Sequence, residues 1–374
     1  DGYLGWPTGL IFASRGCTVK LVDNFFRRKV TEELGCSPLF EVADMHARAK
    51  LWNSLHGSKI ETEEGDLRDF SYLREAIIQF KPDAVIHFAE QPSAPYSMSG
   101  INEAQFTLTN NLLGTLNLAY AVKEIDPDIH IIKLGTMGEY GTPDIDIEEG
   151  FINVRHKGRE DKFLFPRQAS SLYHTTKIQD TDLLYFYVRT AGLRVTDLMQ
   201  GPVYGFWVPD MGDRTEFATF FNYDAIFGTV FNRFLVQAVA GVPLTIYGKG
   251  NQKRGYLNLI DTVSCIELAA KTPVKRGQLR VMNQFTEVFS VNELADIVIE
   301  AASKLGIKTT KEQIENPRKE SEEHYYNPVH TKLEELGLTP TRLNGQIVVA
   351  MLEKVMQRKS FISESAIQPT VRWN

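Results

Sequence analysis

The sequence predicts a doubly wound α/β fold, a parallel sheet covered by helices on both faces, joined to a smaller and mostly helical C-terminal lobe. Three observations predict it. Short β-branched runs alternate with longer helical patterns through the first half of the chain. Those runs are apolar along their length rather than alternating, as strands covered on both faces are. A glycine turn stands at the head of the chain, directly before a helical stretch.

The elements follow in order. "WPTGLIFASRG" (6–16) reads as the first helix and "TVKLVD" (18–23) as the strand after it. "DFSYLREAIIQFK" (69–81) predicts a helix, "DAVIHFA" (83–89) a strand, and "AQFTLTNNLLGTLNLAYAVKEI" (104–125) one long helix. "IHIIKLG" (129–135) is a strand, "SSLYHTTKIQDTDLLYFYVRTAG" (170–192) a second long helix, and "LRVTDLM" (193–199) another strand. After about residue 200 the alternation loosens. An aromatic, glycine-containing stretch (201–229) precedes a helix over 229–241, a loop "YGKGNQKRGYLNL" (247–259) and a closing helix in "ELGLTPTRLNGQIVVAMLEKVM" (335–356). Residues 1–200 are expected to form a nucleotide-binding domain whose first strand lies upstream of residue 1. Residues 201–374 are expected to form a substrate lobe, with some segments returning to the first domain.

Bulk properties narrow the function. The chain has 374 residues, 43% of them hydrophobic and 24% charged, which is ordinary for a globular protein. No apolar run approaches the length of a membrane helix. A net charge of -6 without a basic cluster gives no footprint for nucleic acid, so an anionic ligand must be met locally by helix N-termini and single arginines. The three cysteines, Cys17, Cys36 and Cys265, show no CxxC spacing, which fits a reducing compartment and argues against a metal site.

At the nucleotide end, Gly2 and Gly5 flank Tyr3 in "DGYLGW" and let the backbone approach a pyrophosphate at a helix N-terminus. Asp23 ends the next strand about 20 residues on, where a carboxylate grips a ribose diol. Asp66 in "EEGDLRD" follows a short strand within reach of an adenine, and Phe88 and Ala89 end a strand beside the crevice. The Asp23 carboxylate repels a 2'-phosphate, which favours NAD over NADP. At the chemical centre, "SSLYHTTK" puts Tyr173 and Lys177 at i and i+4 on one helix face. An ammonium beside a phenol lowers its pKa toward the range of a useful base. The strand-end hydroxyl of Thr136 in "KLGTMGEYG" completes a catalytic set.

The glycine turn, acidic second strand, "GDL", "VIHFA", "NNLLGTLNL", strand-end threonine and YxxxK together resemble the extended short-chain dehydrogenase/reductases that act on nucleotide sugars. More narrowly, "SAPYSM", "KLGTMGEYGTPDIDIEEG", "ASSLYHTTK", "YGKGNQKRGYL", "NQFTEVFSVNEL" and "NPRKESEEHYYN" are similar to the UDP-sulfoquinovose synthases, and the likeness covers essentially the whole chain. The resemblance implies a Rossmann-type fold, NAD, and the joining of UDP-glucose with sulfite to give UDP-6-sulfo-quinovose and water. Sulfite is taken free or from a donor protein. It further implies a homodimer placed in the cytoplasm, or in the chloroplast stroma of a plant or alga.

By the same resemblance Thr136, Tyr173 and Lys177 are catalytic. Asp23, Asn24, Arg27, Asp66, Leu67, Asn111, Gln200 and Val203 line the cofactor, and Asn232, Thr245, Arg254 and Arg318 line the UDP-sugar. Glu323 and His324 are candidates for the uridine ribose. Met137, Gly138 and Glu139 follow Thr136 in the turn that faces the sugar. The resemblance departs at Pro92, where the family commonly places an arginine. Chemistry that eliminates water from C5 and C6 also needs a group for the C5 proton and an acid for the C6 hydroxyl. The candidates are Glu139 and His174. The competing enzyme reading is a UDP-glucose 4-epimerase or a sugar 4,6-dehydratase; the latter usually carries Thr-Asp-Glu in this turn, where this chain has Thr136-Met137-Gly138. A non-catalytic NAD-binding scaffold is the reading from another class.

Overall fold

The structure is a computed structural model that describes residues 1–57, 59–316 and 325–368. In the first half, helix α1 (Gly5–Ser14) leads to strand β1 (Val19–Asp23), α2 (Phe26–Glu33), α3 (Met45–His56), β2 (Ile60–Glu64), α4 (Phe70–Phe80) and β3 (Ala84–His87). Then come the short α5 (Ala94–Ser97), α6 (Ile101–Leu108), a π-helical turn over Thr109–Leu113 and α7 (Gly114–Ile125). Strand β4 (His130–Thr136) is followed by a hairpin, β5 (Phe151–His156) and β6 (Arg159–Leu164), and then by α8 (Leu172–Ala191) and β7 (Arg194–Gln200). The second half holds β8 (Val203–Tyr204), α9 (Val230–Ala240), β9 (Leu244–Tyr247), β10 (Lys253–Asn258), α10 (Leu259–Lys271) and β11 (Gln278–Gln284). It closes with β12 (Glu287–Ser290), α11 (Val291–Lys304), β13 (Lys311–Ile314), α12 (Lys332–Glu335), α13 (Gly345–Met356) and α14 (Glu364–Ile367).

The central sheet is parallel, in the order β11-β7-β4-β3, so a strand from the second half lies beside β7. A second parallel pair joins β1 to β2. Both faces of the central sheet are covered, as the apolar strands predict. Ile131 and Val195 pack with Leu118, Val122, Leu184 and Val188 of α7 and α8 on one face. Ile132, Leu134 and Leu198 pack with Cys265 and Ile266 of α10 on the other. The largest apolar cluster joins Trp6 and Leu10 of α1 to Phe231 and Phe234 of α9, Leu294 and Val298 of α11 and Leu352 of α13. The β4–β7 register sets Thr136 beside Gln200, which brings two strand ends to the carboxyl edge of the sheet.

Three sequence expectations change in detail. The helix expected over 104–125 begins at Ile101 and is broken by the π-helical turn, which carries Asn110 and Asn111 into the interior. The glycines that mark a loop at 247–259 belong only to its start. Gly248 and Gly250 hold positive φ, and β10 then pairs with β12 and β8. The closing helix starts only at Gly345, because Pro340 interrupts the earlier stretch and the Asn344 side chain caps the new start. No helix of the described residues is long and apolar enough to cross a membrane, and none of their His, Cys, Asp and Glu side chains group into a metal site.

Candidate active site

At the nucleotide end, α1 begins at Gly5 behind Leu4, which offers no side-chain cap, and its first turn has no acid. The amides of that turn are left for an anion. A Cβ on Gly5 would meet only Phe88, at 3.8 Å, whereas one on Gly9 would stand 2.9 Å from Leu21. Gly9, which sequence reasoning passed over, therefore sets how closely α1 lies on β1. Asp23 ends β1 and accepts from the Phe25 amide at 2.7 Å. Asn24 donates to Asp66 at 3.0 Å, and the Arg68 hydrogen bonds hold the Asp66 carboxyl down at about 2. Arg27 donates to Asn222 at 2.8 Å and lies over the Phe227 ring, and burial pushes its guanidinium down to about 10. Leu67 packs partly buried behind this edge. Open amides, close-set glycines and a half-exposed strand-end carboxylate fit a dinucleotide with a free ribose diol.

The chemical centre is built at the end of β4. Thr136 Oγ1 accepts from the Gly138 amide at 3.2 Å, and Glu139 Oε1 accepts from the Thr136 amide at 3.2 Å. This reciprocal cap fixes the turn of Met137, Gly138 and Glu139. Helix α8 packs against that turn. It starts on the Ser171 side chain, which accepts from the His174 amide, and is tied to α5 by the Tyr173 amide donating to Ser97 Oγ at 3.1 Å. The His174 ring lies on Gly138, where any Cβ would stand 2.3 Å from Nε2, and its Nδ1 meets Ser170 Oγ at 3.0 Å. Tyr173 and His174 touch ring to ring, with centroids 5.2 Å apart.

Lys177 reaches back to the sheet. Its Nζ donates to the Leu134 carbonyl at 2.5 Å, pairs with the Glu90 carboxylate, and stands 5.8 Å from the centre of the Tyr173 ring. The expectation that the ammonium lowers the phenol pKa is corrected here. Burial, followed by the Glu90 and Glu139 charges, pushes Tyr173 up from its ordinary value, and the Lys177 ammonium is paired with the Glu90 carboxylate.

Beneath the turn lies a buried ionic network that sequence reasoning missed. Lys133 and Asp197 are direct neighbours across β4 and β7, 3.4 Å apart at Nζ and Oδ2. Lys133 also donates to Thr181 Oγ1 at 2.7 Å and stands 3.5 Å from Glu139. Arg167 meets the other Glu139 oxygen at 3.5 Å. Glu139 is fully buried, and burial raises its carboxyl pKa against the pull of the two cations. The signal was a lone charge in the middle of each apolar strand, "HIIKLG" and "RVTDLM", which predicts a buried partner.

The remaining candidates separate. Asn111 donates to the Gln91 carbonyl and to Thr176 Oγ1, and so joins the end of β3 to α8. Gln200 donates to Gln284 at 3.1 Å, and Val203 is buried. Met137 is 5% exposed in a cluster with Tyr140, Phe165, Met199 and Phe285. Asn232 is buried between the Gly205 amide and the Tyr3 hydroxyl. Thr245 accepts from Arg233 and Gln237 within its own lobe. Arg254 stands half-buried on β10. Arg318, Glu323 and His324 lie outside the described residues.

The model of the NAD dependent epimerase/dehydratase family matches residues 36–284. The chloroplastic UDP-sulfoquinovose synthase of Spinacia oleracea is 47% identical over 373 residues, covering 100% of this chain and 77% of that protein. The UDP-sulfoquinovose synthase of Sulfolobus acidocaldarius is 41% identical over 376 residues, 100% of this chain and 95% of that one. Among solved structures, the UDP-glucose 4-epimerase of Thermotoga maritima with UDP-glucose superposes with a TM-score of 0.70 at 20% identity, over 96% of this chain and 97% of that one. The Thermus thermophilus UDP-glucose 4-epimerase complex with NAD gives 0.65 at 20% identity, over 95% and 96%. At that identity the likeness is one of fold.

Proposed function

The chain belongs to the UDP-sulfoquinovose synthases of the NAD dependent epimerase/dehydratase family, and from that premise we propose that it joins UDP-glucose and sulfite into UDP-6-sulfo-quinovose at the edge where α8 meets the Thr136–Glu139 turn. NAD is the cofactor, and it supplies the acceptor and later the donor of the C4 hydride. Gly2, Tyr3, Gly5, Asp23, Asn24 and Asp66 would hold it, with Phe88, Ala89 and Asn111 at the strand ends.

Tyr173 takes the proton of the glucose 4-hydroxyl as the C4 hydride leaves, and Thr136 and Lys177 orient the alcohol. The 4-ketone so formed acidifies C5, and loss of the C5 proton with the 6-hydroxyl releases water and leaves a 4-keto-5,6-ene. The sulfite sulfur bonds to C6, C5 recovers a proton, and return of the hydride restores the 4-hydroxyl. For proton handling at C5 and C6, the contact of the His174 ring with Gly138 supports His174. Glu139, turned inward to Lys133 and Arg167, is supported as a group that positions the turn. In the second half of the chain, half-buried Arg254 suits a diphosphate, while Asn232 and Thr245 are buried in hydrogen bonds to other parts of the chain. The exposed Leu113 at the end of the π-helical turn and Leu116 and Tyr120 of α7, with Phe186 exposed on α8, support a homodimer through these helices. Leu118, Leu184 and Val188 of the same helices face the sheet instead.

The observation that carries the reading is the packing of the His174 ring on Gly138 of the turn, with Tyr173 beside that ring and Lys177 one turn further along the same helix. The purified protein with UDP-glucose and sulfite is expected to make a sulfonated nucleotide sugar, followed by mass spectrometry, and Tyr173→Phe is expected to make none. Undiminished product from Tyr173→Phe removes the phenol from proton transfer, and UDP-galactose as the product favours the epimerase.

A further inference from the structure

Glu90 belongs to none of the roles assigned so far, yet it is the direct partner of the lysine at the chemical centre. It stands in the turn after β3, where its amide donates to the Phe88 carbonyl at 2.7 Å. The next amide, of Gln91, donates to Asn111 Oδ1 at 2.8 Å, and Asn111 in turn donates to Thr176 on α8 at 2.9 Å. The backbone under Glu90 is thus tied to the π-helical turn and to the helix that carries Tyr173 and Lys177. Its side chain is only 2% exposed.

The groups around that carboxylate are few. One oxygen lies 3.3 Å from His87 Nε2 on β3, and the other pairs with Lys177 on α8. Burial pushes His87 down to about 4, so the imidazole is neutral at neutral pH and Lys177 is the cation that balances Glu90. Asp180, one turn beyond Lys177, is buried, and burial together with the Glu90 charge raises its carboxyl well above the usual range. Lys133 acts on the same shell from β4, held by Asp197 and Glu139. Among the described residues, neither Glu90 oxygen receives a well-aligned hydrogen bond. The pair with Lys177 is the carboxylate's principal hold, and that hold is open to competition from a ligand rich in hydroxyl groups.

We propose that Glu90 is a positioning residue that competes with the dinucleotide for Lys177, neutralising the ammonium in the cofactor-free chain and yielding it when the cofactor enters. The consequence is order. A chain without cofactor keeps Tyr173 protonated and inert toward a sugar, and binding of the cofactor frees the charge that the phenol needs. The role rests on the reading of Tyr173 and Lys177 as the hydride-transfer pair, but its test requires no turnover.

The measurement is NAD binding, followed by quenching of protein fluorescence, in a double-mutant cycle of Glu90→Gln and Lys177→Ala. Glu90→Gln is expected to bind NAD about tenfold more tightly than the native chain, and to gain less than about twofold when Lys177 is already alanine. Unchanged or weaker binding by Glu90→Gln overturns the proposal, as does an equal gain in both backgrounds. Should Glu90→Gln lose its cooperative melt, Glu90→Asp, which draws the carboxylate back by one methylene, is read in the same way with a gain of about threefold. Because neither UDP-glucose nor sulfite is present, failure of the sulfonation reading leaves this result standing on its own.

Discussion

Met137 shows how much one residue changes between sequence and structure. Beside Thr136 it occupies the position where a 4,6-dehydratase usually carries an acid, and that much was legible, since a thioether gives up no proton. Its surroundings were not. The side chain is 5% exposed and packs with Phe165 before the second long helix, Met199 on β7 and Phe285 after β11, partners separated widely in sequence. Met137→Leu keeps shape and polarity, so its unfolding free energy in urea is expected within about 1.5 kcal/mol of native. Met137→Asp places a carboxylate among these groups and is expected to lose about 3 kcal/mol or more. Equal losses in the two variants would mean that the site is wetter than its packing shows. Thr136, Tyr173 and Lys177 were legible for a simpler reason: a strand end and an i, i+4 spacing are local features. The pairing of Lys177 with Glu90 depends on how β3 meets α8, and no local pattern carries that.

At the scale of elements, the π-helical turn is the feature the sequence hid. "AQFTLTNNLLGTLNLAYAVKEI" has an uninterrupted helical period, and nothing in it marks the extra residue per turn that aims Asn111 inward. Only the structure shows the consequence: Asn111 bonds both backbone groups of Gln91 and the Thr176 hydroxyl, fastening the end of β3 to α8. Asn111→Leu leaves the buried Gln91 amide without its acceptor. It is expected to cost about 2–4 kcal/mol in urea unfolding and to weaken NAD binding at the same time. A variant of native stability and native NAD affinity would show the fastening to be unnecessary. The Lys133–Asp197 pair is the converse case. Each charge was visible in its strand, but their pairing follows from the β4–β7 register, which the sequence does not state.

Over the whole molecule, the alternation of strands and helices made the parallel sheet legible, while the place of β11 at its edge depends on pairing with β7, which no local pattern carries. The sheet buries two histidines, His87 on β3 and His130 on β4, each bonded to a threonine hydroxyl and each pushed down to about 4 by burial. A folded-state pKa below the unfolded value of about 6.5 means that the unfolded chain binds the proton first. Their contribution is therefore complete above about pH 6.5 and is lost as pH falls toward 4. At pH 5 the loss is about 2 kcal/mol for each. His130→Gln is expected to reduce the fall in unfolding free energy between pH 7 and pH 5 by about that amount. An unchanged fall would place the acid sensitivity elsewhere.

The central claim is that one site oxidises C4, builds the carbon–sulfur bond at C6 and then returns the same hydride. The most direct measurement follows UDP-glucose deuterated at C4 through a reaction with sulfite and the NAD-loaded protein, with the product read by NMR and mass spectrometry. The expected product is a sulfonated nucleotide sugar that keeps its deuterium at C4. A sulfonated product carrying protium there, or a 4-keto-6-deoxy sugar without sulfur, would contradict the claim.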